Sequence, residues 1–238
     1  MRRLFTAIAL SLPAAAAAQG GAPVEQGPPN ADFAPAFEGQ TRAPALPATE
    51  VEVETFAEGL EFPWGIAALP GGGYLVTEQP GRLRHVASDG AVSEPIAGVP
   101  EVDYRRQGGL LDVAVPADFA ESREVYLTYS KLTEAGTHTA AARAELSEDR
   151  TELTDVTEIF LQRPASANPM HYGSRIAFEP GTDNVWITTG EHFSRVERLL
   201  AQDLDTTYGK VVRVNRDTGA PPEDNPFVGQ SAVNTIWS

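Results

Sequence analysis

Polar and apolar residues alternate from Glu50 onward. Val51, Val53 and Thr55 interleave with Glu50, Glu52 and Glu54, a period of two that predicts a strand. Residues 64–69 form an apolar run that ends at Pro70 and the turn Gly71-Gly72-Gly73. Residues 74–78 and 82–86 follow as strand candidates, separated by the turn Pro80-Gly81 and closed by Asp89-Gly90. Asp-Gly suits such a turn because both residues tolerate positive φ.

The unit recurs. Leu111 to Pro116 resembles Gly65 to Pro70 and is followed by the strand candidate 124–129. Arg175 to Pro180 is a third copy, followed by 184–189. The prolines lie 46 and then 64 residues apart, the longer interval holding a loop over 161–172. Strand, Pro-containing turn, strand at this period predicts an all-β fold of the β-propeller type, with a β-sandwich as the alternative. Residues 50–238 number 189, about four blades at roughly 45 residues each. The chain stops in the apolar stretch Ile236-Trp237-Ser238, so the sequence reads as C-terminally truncated. One helix is predicted, over 193–205, from the spacing of Val196, Leu199, Leu200 and Leu204.

The N-terminus has a different character. Met1-Arg2-Arg3, a short apolar run and Ala14 to Ala18 read as a signal peptide over 1–18, cleaved after Ala18. The run is too short to span a bilayer, so no membrane span is expected after leader removal, and the address is periplasmic or secreted. Residues 19–49 are rich in Pro and Gly without apolar periodicity and read as a flexible linker ahead of the propeller segment 50–238.

Composition narrows the chemistry. The 18 basic and 33 acidic residues give a net charge of −15, and loss of the two leader arginines makes it −17. Nothing neutralises a phosphate track, which argues against a nucleic-acid partner. With no cysteine, disulfides, thiolate catalysis and cysteine-ligated metals are excluded. The usual protease, α/β-hydrolase and nucleotide motifs are missing as well. Asp217, Glu223, Asp224 and Asn225 offer oxygens, but not in EF-hand order, and a solvated loop is the simpler reading.

Four histidines remain. His85 and His138 fall among polar strand or turn positions and are expected at the surface. His171 precedes the inner strand of the third copy, and His192 follows its second strand, so both belong to loops where reactive groups are held. A neutral imidazole there could take a proton from an alcohol, with Glu191 or Asp112 holding its other nitrogen.

Several stretches together resemble the soluble quinoprotein glucose, aldose and sorbosone dehydrogenases. They include L-E-F-P-W-G from Leu60, T-E-Q-P-G-R-L from Thr77, Q-G-G-L-L-D-V from Gln107, H-Y-G-S-R-I from His171, T-G-E from Thr189, Q-D-L from Gln202, G-K-V-V-R-V-N from Gly209 and D-N-P-F from Asp224. The resemblance implies a six-bladed propeller with pyrroloquinoline quinone (PQQ) over its central channel and calcium as a second cofactor. It implies oxidation of the C1 hydroxyl of an aldose sugar to the lactone, with electrons passing to an acceptor such as a quinone or cytochrome. His171 matches the family's base, Gln107 a residue lining the cofactor site, and Glu191 the acid that supports the histidine, usually Asp. The calcium ligands and basic PQQ contacts would lie beyond Ser238, so the chain alone is expected to be inactive. A non-catalytic propeller that binds carbohydrate or protein is the alternative function. A calcium-dependent lactonase would need a ring of Glu, Asn and Asp that the matched motifs do not supply.

Overall fold

The computed structural model describes residues 27–28, 34, 36–37, 40 and 44–238. The leader over 1–18 and most of the linker over 19–49 lie outside the described residues. Chain contacts divide at Glu54–Thr55. The alternating stretch around Val51 and Val53 forms no strand and both side chains are exposed, because no neighbouring strand offers it a ladder.

Thr55–Ser238 folds into three antiparallel sheets, each a propeller blade. The first holds β1 (Pro63–Ala68), β2 (Tyr74–Glu78) and β3 (Arg82–Val86). The second holds β4 (Leu110–Ala114), β5 (Glu124–Thr133), β6 (Gly136–Leu146) and β7 (Leu153–Leu161), with the single turn α1 (Phe119–Ser122) before β5. The third holds β8 (Gly173–Phe178), β9 (Asn184–Thr189) and β10 (Val211–Asn215). The strands at 74–78, 82–86 and 184–189 match their sequence pattern, whereas β6, β7 and β10 carry no turn signal of the repeat and were not marked by it. Long connections at 87–109, 162–172 and 190–210 take up the remaining length, so the sheets number three where length alone allotted about four.

The inner strands are joined by a repeated device. β1, β4 and β8 each carry a bulge near their start, which frees one backbone N–H from the ladder. A threonine on the second strand takes that N–H: Gly65 to Thr77 at 2.8 Å, Asp112 to Thr128 at 2.9 Å, Arg175 to Thr188 at 3.0 Å. Its hydroxyl then donates to the next blade, Thr77 to the Leu111 carbonyl at 2.5 Å and Thr128 to the Ser174 carbonyl at 2.6 Å.

Strand alternation builds the two apolar layers between blades. On β5, Val125, Leu127 and Tyr129 face the first blade with Leu75, Leu83 and Ile96, while Tyr126 faces the third with Ile176, Ile187 and Val212. On β6 the small residues Ala140, Ala142 and Ala144 take one side and Ala141 the other.

The predicted helix over 193–205 is shorter. Only α2 (Arg195–Leu199) and a 3-10 turn over Leu200–Gln202 form, capped by Ser194 Oγ accepting from the Glu197 N–H at 3.1 Å. Val196 and Leu199 are each 74% exposed, so the apolar spacing does not mark a core-facing helix here. No helix among the described residues is long and apolar enough to cross a membrane.

Candidate active site

Three connections meet at one end of the inner strands. The 103–109 connection is set by Asp103, a buried carboxylate that accepts from Nε and Nη2 of Arg105 at 2.5 and 2.6 Å. Arg105 holds the Asp103 carboxyl below the usual carboxylate range against the opposing effect of burial. A β-turn follows, closed by the Gly108 N–H donating to the Arg105 carbonyl at 2.8 Å. It delivers Gln107, whose Oε1 accepts the backbone N–H of His171 at 2.8 Å. Gln107 therefore fixes the main chain of His171, which sits at φ +48°.

The His171 ring points Nδ1 at Glu191 Oε1, 2.7 Å away. A carboxylate only accepts, so Nδ1 carries the hydrogen, and in the neutral ring the lone pair is then on Nε2. Burial pushes the Glu191 carboxyl up, but the hydrogen bonds from His171 and from backbone N–H groups outweigh it and hold the group below its ordinary range. Arg198 adds a weaker ion pair to the same oxygen at 3.5 Å and lies over the ring of Phe193, which meets the His171 ring edge-on at 5.2 Å. Asp112, the other carboxylate considered for this role, is engaged elsewhere. Its Oδ1 accepts from Arg175 at 2.7 Å and its Oδ2 from the Ile176 N–H at 3.0 Å.

Behind the pair lies a buried polar layer. Gln162 donates to the carbonyls of Gly190 at 2.7 Å and Thr207 at 3.3 Å, and its Oε1 accepts from the Thr139 N–H at 3.1 Å and faces His192 Nε2 at 2.7 Å. His192 is wholly buried between Tyr172 and Tyr208, and burial pushes its imidazole pKa down. It is a strut of the loop rather than a group open to ligand. His138, expected at the surface, is buried too, because its Nδ1 reaches the Gln162 carbonyl at 2.7 Å and its Nε2 the Thr133 hydroxyl at 3.1 Å. His85 lies partly buried with Arg150 2.7 Å from its Nε2.

A cleft of about 410 Å³ opens beside His171, lined by Trp64, Gln79, Arg106, Gln107, Leu111 and Tyr172 among others. Among the described residues nine non-glycine positions have positive φ; four of them, Arg106, His171, His192 and Phe193, stand in the connections around it, and Ser174 near the start of β8 is a fifth that lines it. Backbone held in sparsely populated conformations collects where function requires particular side-chain directions. Sequence reasoning brought Gln107, His171 and Glu191 forward, and the fold places them together. It passed over Trp64 and Arg106 as site residues, although Trp64 stands in the L-E-F-P-W-G stretch and Arg106 directly precedes Q-G-G-L-L-D-V. The flat indole of Trp64 and the guanidinium of Arg106 suit a planar, anionic group such as PQQ. Among the described residues no group of three or more His, Asp or Glu is arranged to hold a metal ion.

Residues 60–238 match the family described as glucose/sorbosone dehydrogenase. Aldose sugar dehydrogenase YliI of Escherichia coli (strain K12) is 41% identical over 197 residues, which are 82% of this chain and 52% of that protein. The crystal structure of the apo-form of soluble aldose sugar dehydrogenase from Escherichia coli superposes with a TM-score of 0.72 at 39% identity, over 77% of this chain and 52% of that one. The PQQ-bound aldose sugar dehydrogenase from Streptomyces coelicolor gives a TM-score of 0.64 at 31% identity, over 76% and 52%. The chain thus spans about half the length of these relatives. Three bulged inner strands, the His171–Glu191 pair at their end and the match over 60–238 lead to one assignment: the chain belongs to the glucose/sorbosone dehydrogenase family.

Proposed function

We propose that this protein takes part in PQQ-dependent oxidation of the C1 hydroxyl of aldose sugars to lactones, with His171 as general base. The observation that carries the reading is the 2.7 Å contact between His171 Nδ1 and Glu191, which leaves Nε2 as the proton acceptor at the cleft. His171 Nε2 takes the hydroxyl proton, and the Glu191 carboxylate stabilises the imidazolium that forms. Gln107 keeps the imidazole in place through the His171 backbone, and its amide N–H₂ is left for a ligand. PQQ, when bound, would supply the two-electron acceptor for the hydrogen leaving C1 as hydride. Trp64 and Arg106 are the described residues that would hold it.

The sugar dehydrogenase relatives and the PQQ-bound homologue support the substrate class and the cofactor. Calcium is part of the proposal through the family alone, and no step is assigned to it. Reoxidation by a quinone or cytochrome and a periplasmic or secreted location complete the reading, the latter resting on the leader pattern of residues 1–18.

The test compares the native gene product with its His171→Ala variant, both supplied with PQQ and calcium, in dye-linked oxidation of aldoses. Loss of about 10²–10⁴-fold in kcat is expected for removal of a general base. Unchanged turnover in the variant, or sugar binding by the native protein without oxidation, refutes the proposal and favours a non-catalytic carbohydrate-binding propeller.

A further inference from the structure

We propose that Arg106 is a carboxylate-recognition residue of the His171 cleft. The inference rests on the reading of that cleft as a ligand site. Arg105 and Arg106 are adjacent, yet their fates differ. Arg105 is locked onto Asp103 by two hydrogen bonds. The Arg106 guanidinium has no hydrogen bond, ion pair or ring partner among the described residues, and it lines the cleft beside Gln107 and His171. The nearby carboxylates are taken: Asp103 by Arg105, Asp112 by Arg175, Glu191 by His171 and Arg198.

The backbone makes this free cation harder to dismiss. Arg106 is the first central residue of the turn closed between Arg105 and Gly108, and its φ is +53°. Turns with positive φ at that position favour Gly, Asn or Asp, since a larger side chain meets the neighbouring carbonyl. A glycine would satisfy the turn. An arginine there is backbone strain kept in exchange for a side chain at the cleft, in a chain whose net charge is −15. Guanidinium is built for a two-pronged grip on a carboxylate; Trp64 also lines the cleft, with the Arg175 guanidinium 5.4 Å from the centroid of its ring. Two ligands share that chemistry: the carboxylates of PQQ, and an acidic sugar such as a uronic acid.

Calorimetric titration of the native gene product separates them, using PQQ, D-glucuronate and the neutral counterpart D-glucose as probes. Arg106→Gly is expected to weaken binding of the responsible carboxylate probe by about tenfold or more and to leave D-glucose unchanged. The thermal midpoint of Arg106→Gly should equal or exceed the wild-type value, because the turn is relieved, and Arg106→Lys should recover part of the affinity. An effect on PQQ alone assigns Arg106 to the cofactor, and an effect on glucuronate alone assigns it to an acidic substrate. Wild-type affinity of Arg106→Gly for both, equal loss for all three probes, or no carboxylate binding by the wild type overturns the proposal. A protein that holds PQQ through Arg106 but oxidises no aldose refutes the dehydrogenase reading and leaves this one standing.

Discussion

The carbonyl oxygen of His171 lies where a Cβ on Gly190 would have to sit. The T-G-E stretch is therefore not interchangeable at its middle position. Gly190 lets the strand end of β9 press against the His171 main chain, and the next residue, Glu191, reaches the imidazole as a result. Gly190→Ala forces backbone apart from backbone, with no flexible side chain to yield. A loss of about 1–3 kcal/mol in urea unfolding is expected. Aldose oxidation should fall by more than that stability loss explains, since the same displacement parts His171 from Glu191. Full activity in a destabilised Gly190→Ala protein would separate the two functions of this contact.

Glu191→Gln isolates charge from geometry. Glutamine still accepts from His171 Nδ1 but does not balance the imidazolium formed when Nε2 takes a proton. A fall in kcat of about 10²-fold with little change in KM is expected. The variant should also reshape acid stability. The Glu191 carboxyl is held below its unfolded-state value, so the folded form binds this proton more weakly. The stabilisation is complete above the unfolded value and vanishes as the pH falls through the folded one. Wild type minus Glu191→Gln, measured by urea midpoints across the acid range, should therefore shrink on acidification. A difference that grows instead would show that Glu191 is not held as an anion.

How far the sequence reached depends on what each residue responds to. Turns and short strands answer to local chemistry, so Tyr74–Glu78, Arg82–Val86 and Asn184–Thr189 were legible from alternation between Gly, Pro and Asp-Gly signals. Val51 and Val53 show the limit, because alternation without a partner strand makes no sheet. Gly136–Leu146 shows the reverse: its central alanines have weak strand propensity and are strands because both faces are covered by neighbouring blades. The site residues followed the same rule. His171, Gln107 and Glu191 stood in recognisable stretches. Gln162 and His192 act through a buried network spanning distant loops, and polar pattern alone placed His138 on the wrong side of the surface. The choice between Glu191 and Asp112 likewise depended on Arg175, which lies 63 positions from Asp112 and claims it.

The threonine device predicts an unequal series. Thr128 is fully buried and bridges two main-chain groups, the Asp112 N–H and the Ser174 carbonyl, on adjacent blades. Thr128→Val keeps the shape and removes both hydrogen bonds. A cost of about 2–4 kcal/mol is expected from two buried groups left unpaired. Thr188 is only partly buried and accepts from the exposed Arg175 backbone, so Thr188→Val should cost under about 1 kcal/mol. Equal losses in the two variants, read from denaturant midpoints, would mean that the inter-blade bridge contributes nothing.

Lys210 ties the site to the segment beyond it. Its ammonium is nearly buried and donates to the carbonyls of Ala201 at 2.7 Å, Tyr208 at 2.9 Å and Leu200 at 3.3 Å. Its main chain exchanges hydrogen bonds with Thr189, two residues before Glu191. Lys210→Met fills similar space and takes a donor from the Ala201 and Tyr208 carbonyls, while the Leu200 carbonyl keeps the Asp203 N–H and the Thr206 hydroxyl, at a cost of about 1–3 kcal/mol. Hydrogen exchange should quicken over 200–208 and stay unchanged in the first blade. Burial pushes the Lys210 ammonium below its ordinary value, so in the alkaline window between the folded and unfolded values the unfolded chain holds the proton more tightly. Stability contributed by this group rises with pH through that window. The rise should be present in wild type relative to Lys210→Met. An identical alkaline profile in both proteins would place the Lys210 ammonium in water and remove it as the anchor of the Glu191 loop.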